Sequence, residues 1–481
     1  MSYLISMVRT KAVAIFLGPA GMGLVGLYTT AIGFVSTFSA LGISNSAVKQ
    51  VAEADGQGDE VSLTRTIKAL RRICYATGFL GWALTAIFAR PLSLWVFGSH
   101  DHAWALAILG ATILLADISG GQSALLQGKR RIGDLARLNV LSSVIGSIVS
   151  VTIYAFLHER GIIPVMLVTA AISLGSSWWF ARRVSIVEME FSWRDTWPAA
   201  RRMIQLGVAF MWSAVLVSGL ALATRALIAH MFGLNANGIY QAAWGISGMF
   251  AGFITGAMGT DFYPRLTGAS QNNELVNRLV NEQTEIGILL ALPGLIGTLM
   301  FAPWAMRIFY SAKFLPGAEL LPWFVLGIFG RVLSWPMAFI MLAKGEGRWY
   351  ALSETAASIL HLSLIFCFMR AFGLWGVALA FAVMYFTYTI MVYFISRRLT
   401  GFAWTSSAIR LFATSFALVL AGFGIQKWIH GIPGYALGIV LMACASVHAL
   451  RGISSRLGSG HRLVAIVCRL PCGQIICGQN K

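Results

Sequence analysis

Long runs of apolar residues, each cut off by a short polar or charged stretch, divide this chain from end to end. Six runs fall at about 1–17, 22–46, 73–97, 103–127, 135–157 and 161–181. Six more fall at about 203–232, 236–262, 283–309, 318–343, 349–369 and 373–396, and two follow at about 409–427 and 432–450. Most are roughly 17–25 residues long, enough for a helix rising 1.5 Å per residue to cross about 30 Å of hydrocarbon. The pattern predicts an all-α integral membrane protein with about fourteen transmembrane helices. The polar stretches are brief, the longest being Glu53–Lys68, Ser185–Arg202 and Ser270–Glu282. Nearly all chemistry must therefore come from the helices.

The runs also repeat. Leu17-Gly18-Pro19-Ala20-Gly21-Met22-Gly23-Leu24 returns without a gap as Phe232-Gly233-Leu234-Asn235-Ala236-Asn237-Gly238-Ile239, about 215 residues later. The same offset carries Gly33 onto Gly248 and Arg182-Arg183-Val184 onto Arg397-Arg398-Leu399. Six runs per copy start both halves on the same side of a membrane. Two parallel six-helix lobes related by an axis along the membrane normal form a transporter layout, with substrate handled between them. The expected divisions are a lobe at 1–184, a cytoplasmic linker at 185–202, a second lobe at 203–400, two additional helices within 401–450 and a basic tail at 451–481.

Composition agrees with lipid as the solvent: 57% of the 481 residues are hydrophobic and 11% charged. The net charge of +18 is distributed by loop rather than gathered into a nucleic-acid face. With the amino terminus in the cytoplasm, the inner connections hold Arg65, Lys68, Arg71, Arg72, Lys129, Arg130, Arg131, Arg182, Arg183, Lys344, Arg397, Arg398 and Arg410. The outer ones hold only Arg90, Arg160, Arg307, Lys313, Arg370 and Lys427. This is the positive-inside bias of a multi-pass inner-membrane protein, with both termini placed in the cytoplasm. The partners it implies are membrane lipids, not nucleic acid. Cys74, Cys367 and Cys444 read as small hydrophobes. Cys468, Cys472 and Cys477 lack a CxxC pair, so no metal site is expected. No nucleotide, zinc-hydrolase or serine-nucleophile motif is present, which points to a carrier without a cofactor, not an enzyme.

Charges inside the runs cost at least ~2.5–3.5 kcal/mol each and need a partner or a watery cavity. Arg9, Lys11, Arg225 and Arg331 are the basic ones and Asp117 the acidic one. Arg9 precedes Gly18 by nine residues and Arg225 precedes Gly233 by eight. Both should thus lie ~12–14 Å inside the outer boundary. Two guanidinium forks at one depth form an anion site suited to a diphosphate, and Lys11 and Arg331 extend it. Arg331 and Asp117 correspond in the repeat frame, either as a gate across the cavity or as structural pairs within their own lobes. Lys49 and Arg265 end the second and eighth runs, either to receive a lipid head group or to snorkel to the interface. Asp261 is a titratable neighbour for Arg265, with Asp117 as the other gating or coupling candidate. His361 reads as a hydrogen-bonded packing residue or a proton carrier.

The two glycine turns carry a family likeness. The stretch Leu17–Leu24 followed by an apolar helix resembles the start of Wzx-type polysaccharide flippases, or O-antigen translocases, of the multidrug/oligosaccharidyl-lipid/polysaccharide (MOP) exporter superfamily. Gly238-Ile239-Tyr240-Gln241-Ala242-Ala243-Trp244 is similar to the second-half motif of the lipid III flippase subgroup. The likeness covers residues 1 to about 400. It implies a MATE-like fold and transfer of an undecaprenyl-diphosphate-linked oligosaccharide from the inner to the outer leaflet by alternating access. It also implies a cavity arginine at the position of Arg9, and a groove for the lipid tail on the two extra helices. A polysaccharide polymerase and a chain-length regulator are the partners it suggests. A cation-coupled multidrug exporter of the same superfamily, and a non-transporting component of a glycan-assembly complex, are the alternatives. The excess of basic over acidic charges inside the runs weighs against the exporter.

Overall fold

Backbone groups have no water to bond in hydrocarbon, so a chain this apolar satisfies them within helices. The computed structural model describes residues 2–184, 189–429 and 431–457, and among them there is no strand. The tail cysteines Cys468, Cys472 and Cys477 lie outside the described residues.

The chain divides into two compact units. One is Met1–Gln241 with Phe309–Lys313; the other is Ala242–Ile308 with Phe314–Lys481. The first contains α1 (Ser2–Ser39), α2 (Ile43–Gly56), α3 (Glu60–Ile87), α4 (Ala89–Phe97), α5 (Ala103–Leu109), α6 (Ala111–Gly128), α7 (Ile132–Leu157) and α8 (Ile162–Ala181). A long α9 (Trp193–Gly268) begins in this unit. The second contains α10 (Asn273–Met300), α11 (Ala302–Phe309), α12 (Leu321–Ala343), α13 (Gly347–Phe372), α14 (Gly376–Thr400), α15 (Ser406–Trp428) and α16 (Ile432–Leu457).

Within unit 1, α6 packs on α2, α3 and α8, and α7 joins α1 to α8. Within unit 2, α12 packs on α14, α13 on α14, and α10 receives α12, α15 and α16. Helix ends carry side-chain caps where water can reach them. Asp59 accepts from the Val61 and Ser62 amides, Asn272 from Leu275 and Thr405 from Ala408, which satisfies first-turn donors that have no intrahelical partner.

Among the described residues nine helical stretches are long and apolar enough to cross a membrane, or ten if the pair Glu60–Ile87 and Ala89–Phe97, bent by 67°, counts as one span. Two of these, Ile132–Ala181 and Gly347–Thr400, are 50 and 54 residues long, and each holds two helices joined by a tight turn. The repeated turns are built into the helices themselves. α1 breaks at Gly18 (φ 65°, ψ −172°) and α9 breaks at Gly233 (φ 83°, ψ 174°).

Candidate functional site

The two glycine motifs meet inside unit 1, and the backbone explains their composition. Positive φ with ψ near 180° is a region that only glycine occupies readily, and both break points use it. Five residues beyond each break, the chains cross. A β-carbon on Gly23 would collide with the Leu234 carbonyl, and one on Gly238 with the carbonyl and Cα of Pro19. The relation is reciprocal, because Pro19 and Leu234 are themselves repeat mates, as are Gly23 and Gly238. The buried Asn237 ties the crossing, its Nδ2 donating to the Gly23 carbonyl at 2.9 Å.

Below this crossing lie Arg9 and Arg225. Arg225 Nη1 donates to Gln241 Oε1, and Gly26 of α1 is pressed so close that a side chain there would strike both groups. Buried Tyr240 lies beside Arg225. Arg9 lines a cavity of about 250 Å³ together with Thr10, Ser150, Tyr154, Thr169 and the same Gln241. Gln241 thus bonds Arg225 and lines the cavity that Arg9 also lines. The hydroxyls of Thr10, Ser150 and Thr169 donate to the Ser6, Gly146 and Val165 carbonyls of their own helices and turn lone pairs to the cavity, so the donors it offers an oxyanion are the Arg9 guanidinium, the Gln241 amide and the Tyr154 hydroxyl. Gln241 stands in the sequence only within the second-half motif Gly238–Trp244; it and Asn237 are the two amides inside the apolar run 236–262, and that was the signal for it.

The other candidates are placed separately. Lys11 is exposed on α1. Arg331 is half-buried on α12 in unit 2, its guanidinium 5.8 Å from the Tyr385 ring centre. In the same unit Tyr388 OH donates to Glu354 Oε1 at 2.6 Å, so a carboxylate inside the run 349–369 belongs with the intramembrane charges. Asp117 is 9% exposed on α6 near Cys74 and Thr77, and its Oδ2 has no hydrogen-bond partner among the described residues. Lys49 is exposed and paired with Glu53 at 3.8 Å. Arg265 is exposed on α9. Asp261 lies on the same helix, and its side chain is outside the described residues. His361 is buried against Phe381, ring centres 5.9 Å apart, but neither ring nitrogen has a hydrogen-bond partner among the described residues. That corrects the expectation of a hydrogen-bonded packing residue: its neighbours there are apolar.

The segment after α8 is more than a connector. Lys68 of α3 donates to the Met189 carbonyl, and Arg72 donates to the carbonyls of Ser192 (2.8 Å) and Phe191 (2.7 Å) and to Thr196 Oγ1 (2.8 Å). Arg65 and Arg72 also lie over the rings of Phe191 and Trp193, at 5.3 and 5.2 Å. Ser192 caps α9: its amide donates to Asp195 Oδ2 at 2.7 Å and its hydroxyl accepts from the Asp195 amide at 3.3 Å, a capping box. These bonds from Ser192 hold the exposed Asp195 carboxyl below its usual range.

A family model described as polysaccharide biosynthesis protein matches residues 12–319. The chain is 22% identical over 392 residues to the lipid III flippase of Escherichia coli (strain K12), covering 79% of this chain and 90% of that protein. Among solved structures, lipid II flippase MurJ in an inward closed conformation superposes with a TM-score of 0.68 at 14% identity, over 95% of this chain and 97% of that one. An inward-facing multidrug resistance MATE family transporter of the MOP superfamily gives the same TM-score at 15% identity, over 83% and 95%. The fold is that of the MOP superfamily.

Proposed function

The chain belongs to the polysaccharide biosynthesis protein family, and from that premise we propose that it is a flippase for a lipid-linked glycan, carrying an undecaprenyl-diphosphate-linked oligosaccharide such as an O-antigen or related surface repeat unit from the cytoplasmic to the periplasmic leaflet. The observation that carries this reading is Gln241, which bonds Arg225 and lines, with Arg9, a hydroxyl-rich cavity. The relationship to a lipid III flippase supports the substrate class.

The chemistry follows from solvation. Sugar hydroxyls taken into hydrocarbon lose their bonds to water at a cost of several kcal/mol each, and a diphosphate loses more. Arg9 and Arg225 supply charge-assisted bonds to the diphosphate, the neighbouring hydroxyls serve the first sugar, and the polyprenyl tail stays in lipid. Arg331 and Lys11 complete the cationic path, and Lys49 and Arg265 meet the arriving head group at the inner face. Rocking of the lobes about the site exposes it to each side in turn, with Asp117 and Asp261 as the groups that couple this motion to a cation. A polysaccharide polymerase and a chain-length regulator act on the product.

The test is transfer of an undecaprenyl-diphosphate oligosaccharide between leaflets of proteoliposomes. A hydrogen bond to a charged group contributes about 1.5–3 kcal/mol, so Arg225→Ala should slow transfer by roughly tenfold to a hundredfold, with Arg225→Lys intermediate. Unchanged transfer by folded Arg225→Ala removes the diphosphate site; no transfer by folded wild type in a validated assay removes the flippase.

A further inference from the structure

The two helices that follow the repeat meet in a basic notch with no part in the arginine site above. α15 and α16 pack against each other as an antiparallel pair, so the first turns of α15 lie beside the last turns of α16. On α15, Ser407, Arg410, Leu411 and Thr414 recur at helical spacing and form one stripe. On α16, His448, Arg451, Gly452 and Arg456 form the other. Together they line a cavity of about 380 Å³.

Its floor is built. Arg456 Nε donates to Glu285 Oε2 of α10 at 2.6 Å, Nη1 to the Gly452 carbonyl at 3.0 Å and Nη2 to Ser407 Oγ at 3.2 Å. Among the described residues no carboxylate lines the notch, and Glu285 at its floor is engaged by Arg456. Arg410 and Arg451 add two more guanidinium groups, both exposed and without an ion pair among the described residues. Among the described residues the Arg410 side chain donates one hydrogen bond, from its Nε to the Ser406 carbonyl at 3.3 Å. Thr414 Oγ1 and His448 Nε2, 3.5 Å apart, close one side.

Three guanidinium groups and the Ser407 hydroxyl around one concavity form a site for a phosphate, the Thr414 hydroxyl being spent on the Arg410 and Leu411 carbonyls. The surface leading away from it is hydrocarbon-like: Ile409, Leu437, Ile439 and Val440 on these two helices are 53%, 45%, 53% and 60% exposed. Val440 and Leu437 stand 11 and 14 residues from Arg451, about 16–21 Å along the helix, within the reach of an acyl chain. Interfacial arginines that merely snorkel need neither a fixed floor nor a concavity. We propose that this notch binds the phosphate of an anionic glycerophospholipid, with the acyl chains lying along α15 and α16. The proposal is independent of the flippase reading, since its readout is binding and not transfer.

The test uses delipidated full-length protein and native mass spectrometry with phosphatidylglycerol as probe. Wild type should retain it at least tenfold more tightly than the Arg410→Gln/Arg451→Gln double variant, and Arg410→Lys/Arg451→Lys should retain part of the difference. Both side chains are exposed, so the melting temperature should hold; if the double variant melts early, Arg451→Gln alone is compared. Phosphatidylcholine, whose head group has no net charge, should not displace the probe. Equal retention by wild type and variant, or displacement by phosphatidylcholine, overturns the site. Undecaprenyl phosphate binding in preference to phosphatidylglycerol reassigns the phosphate to the carrier lipid and overturns the glycerophospholipid, and full displacement by inorganic phosphate shows a free-anion site and does the same.

Discussion

Glycines that look alike in the repeat are present for different reasons. Gly18 and Gly233 occupy a backbone region closed to other residues, yet an added β-carbon would meet nothing within 4 Å. Strain alone sets the cost of Gly233→Ala, about 1–3 kcal/mol, read as a lowered melting temperature in detergent. Gly238 has ordinary helical geometry, and its β-carbon would drive into the Pro19 carbonyl. There the main chain has to move, so Gly238→Ala should disturb the crossing of α1 and α9. Gly33 and Gly248 match by the same offset but have open space and no positive φ. Alanine at Gly248 should be neutral or stabilising by up to about 1 kcal/mol, and a loss comparable to that of Gly233→Ala would contradict this account. The motif was legible in sequence; which of its glycines bears strain, which bears contact and which bears neither was not, because φ and neighbour distance leave no separate trace in residue identity.

The segment 189–196 shows how a linker acquires structure from the helix it crosses. Its sequence, polar and charged, read as a plain connector along the inner surface. Three basic residues of α3, spaced to share a face, bind its carbonyls and rings instead. Arg72→Ala removes three of these bonds, so amide hydrogen exchange across 189–196 should rise while the body of α3 stays protected. The capping box makes part of this order depend on pH. The Asp195 pKa is lowered from 3.8 in the folded chain, so its contribution is fully present above that value and is lost as pH falls through the folded pKa. Exchange in the first turn of α9 should accelerate below about pH 3.8 in wild type and be fast at every pH in Asp195→Ala. A flat pH profile in wild type would remove Asp195 from the cap.

At the scale of the molecule, one ion pair among the described residues adds to the packing that holds the last helix of unit 2. Glu285 on α10 and Arg456 on α16 have side chains 10% and 25% exposed and meet at 2.6 Å. Removing one partner of a fully buried pair costs about 3–5 kcal/mol, and the partly exposed Arg456 keeps the cost here below that. Glu285→Ala should therefore loosen α16, seen as new protease cleavage near residue 450 and a lower unfolding midpoint, while Glu285→Gln keeps a hydrogen bond and loses less. Cleavage unchanged in Glu285→Ala would show that apolar packing of α16 on α10 suffices.

The apolar runs, the repeated glycine motif and the family were legible in the order of residues alone. A bilayer acts on local composition, since about twenty consecutive apolar residues insert wherever they occur and arginines stay on the side of synthesis. Which intramembrane charges meet was decided only by the fold. Counting residues to a glycine gave an expectation of equal depth for Arg9 and Arg225. That Gln241 bonds Arg225 and shares a cavity with Arg9, that Arg331 lies over Tyr385, that Lys49 already has Glu53, and that Tyr388 bonds Glu354 depended on the rotation of each helix about its axis. Hydropathy is nearly blind to that rotation when a helix is apolar all round, and a break such as Gly233 resets it for everything downstream.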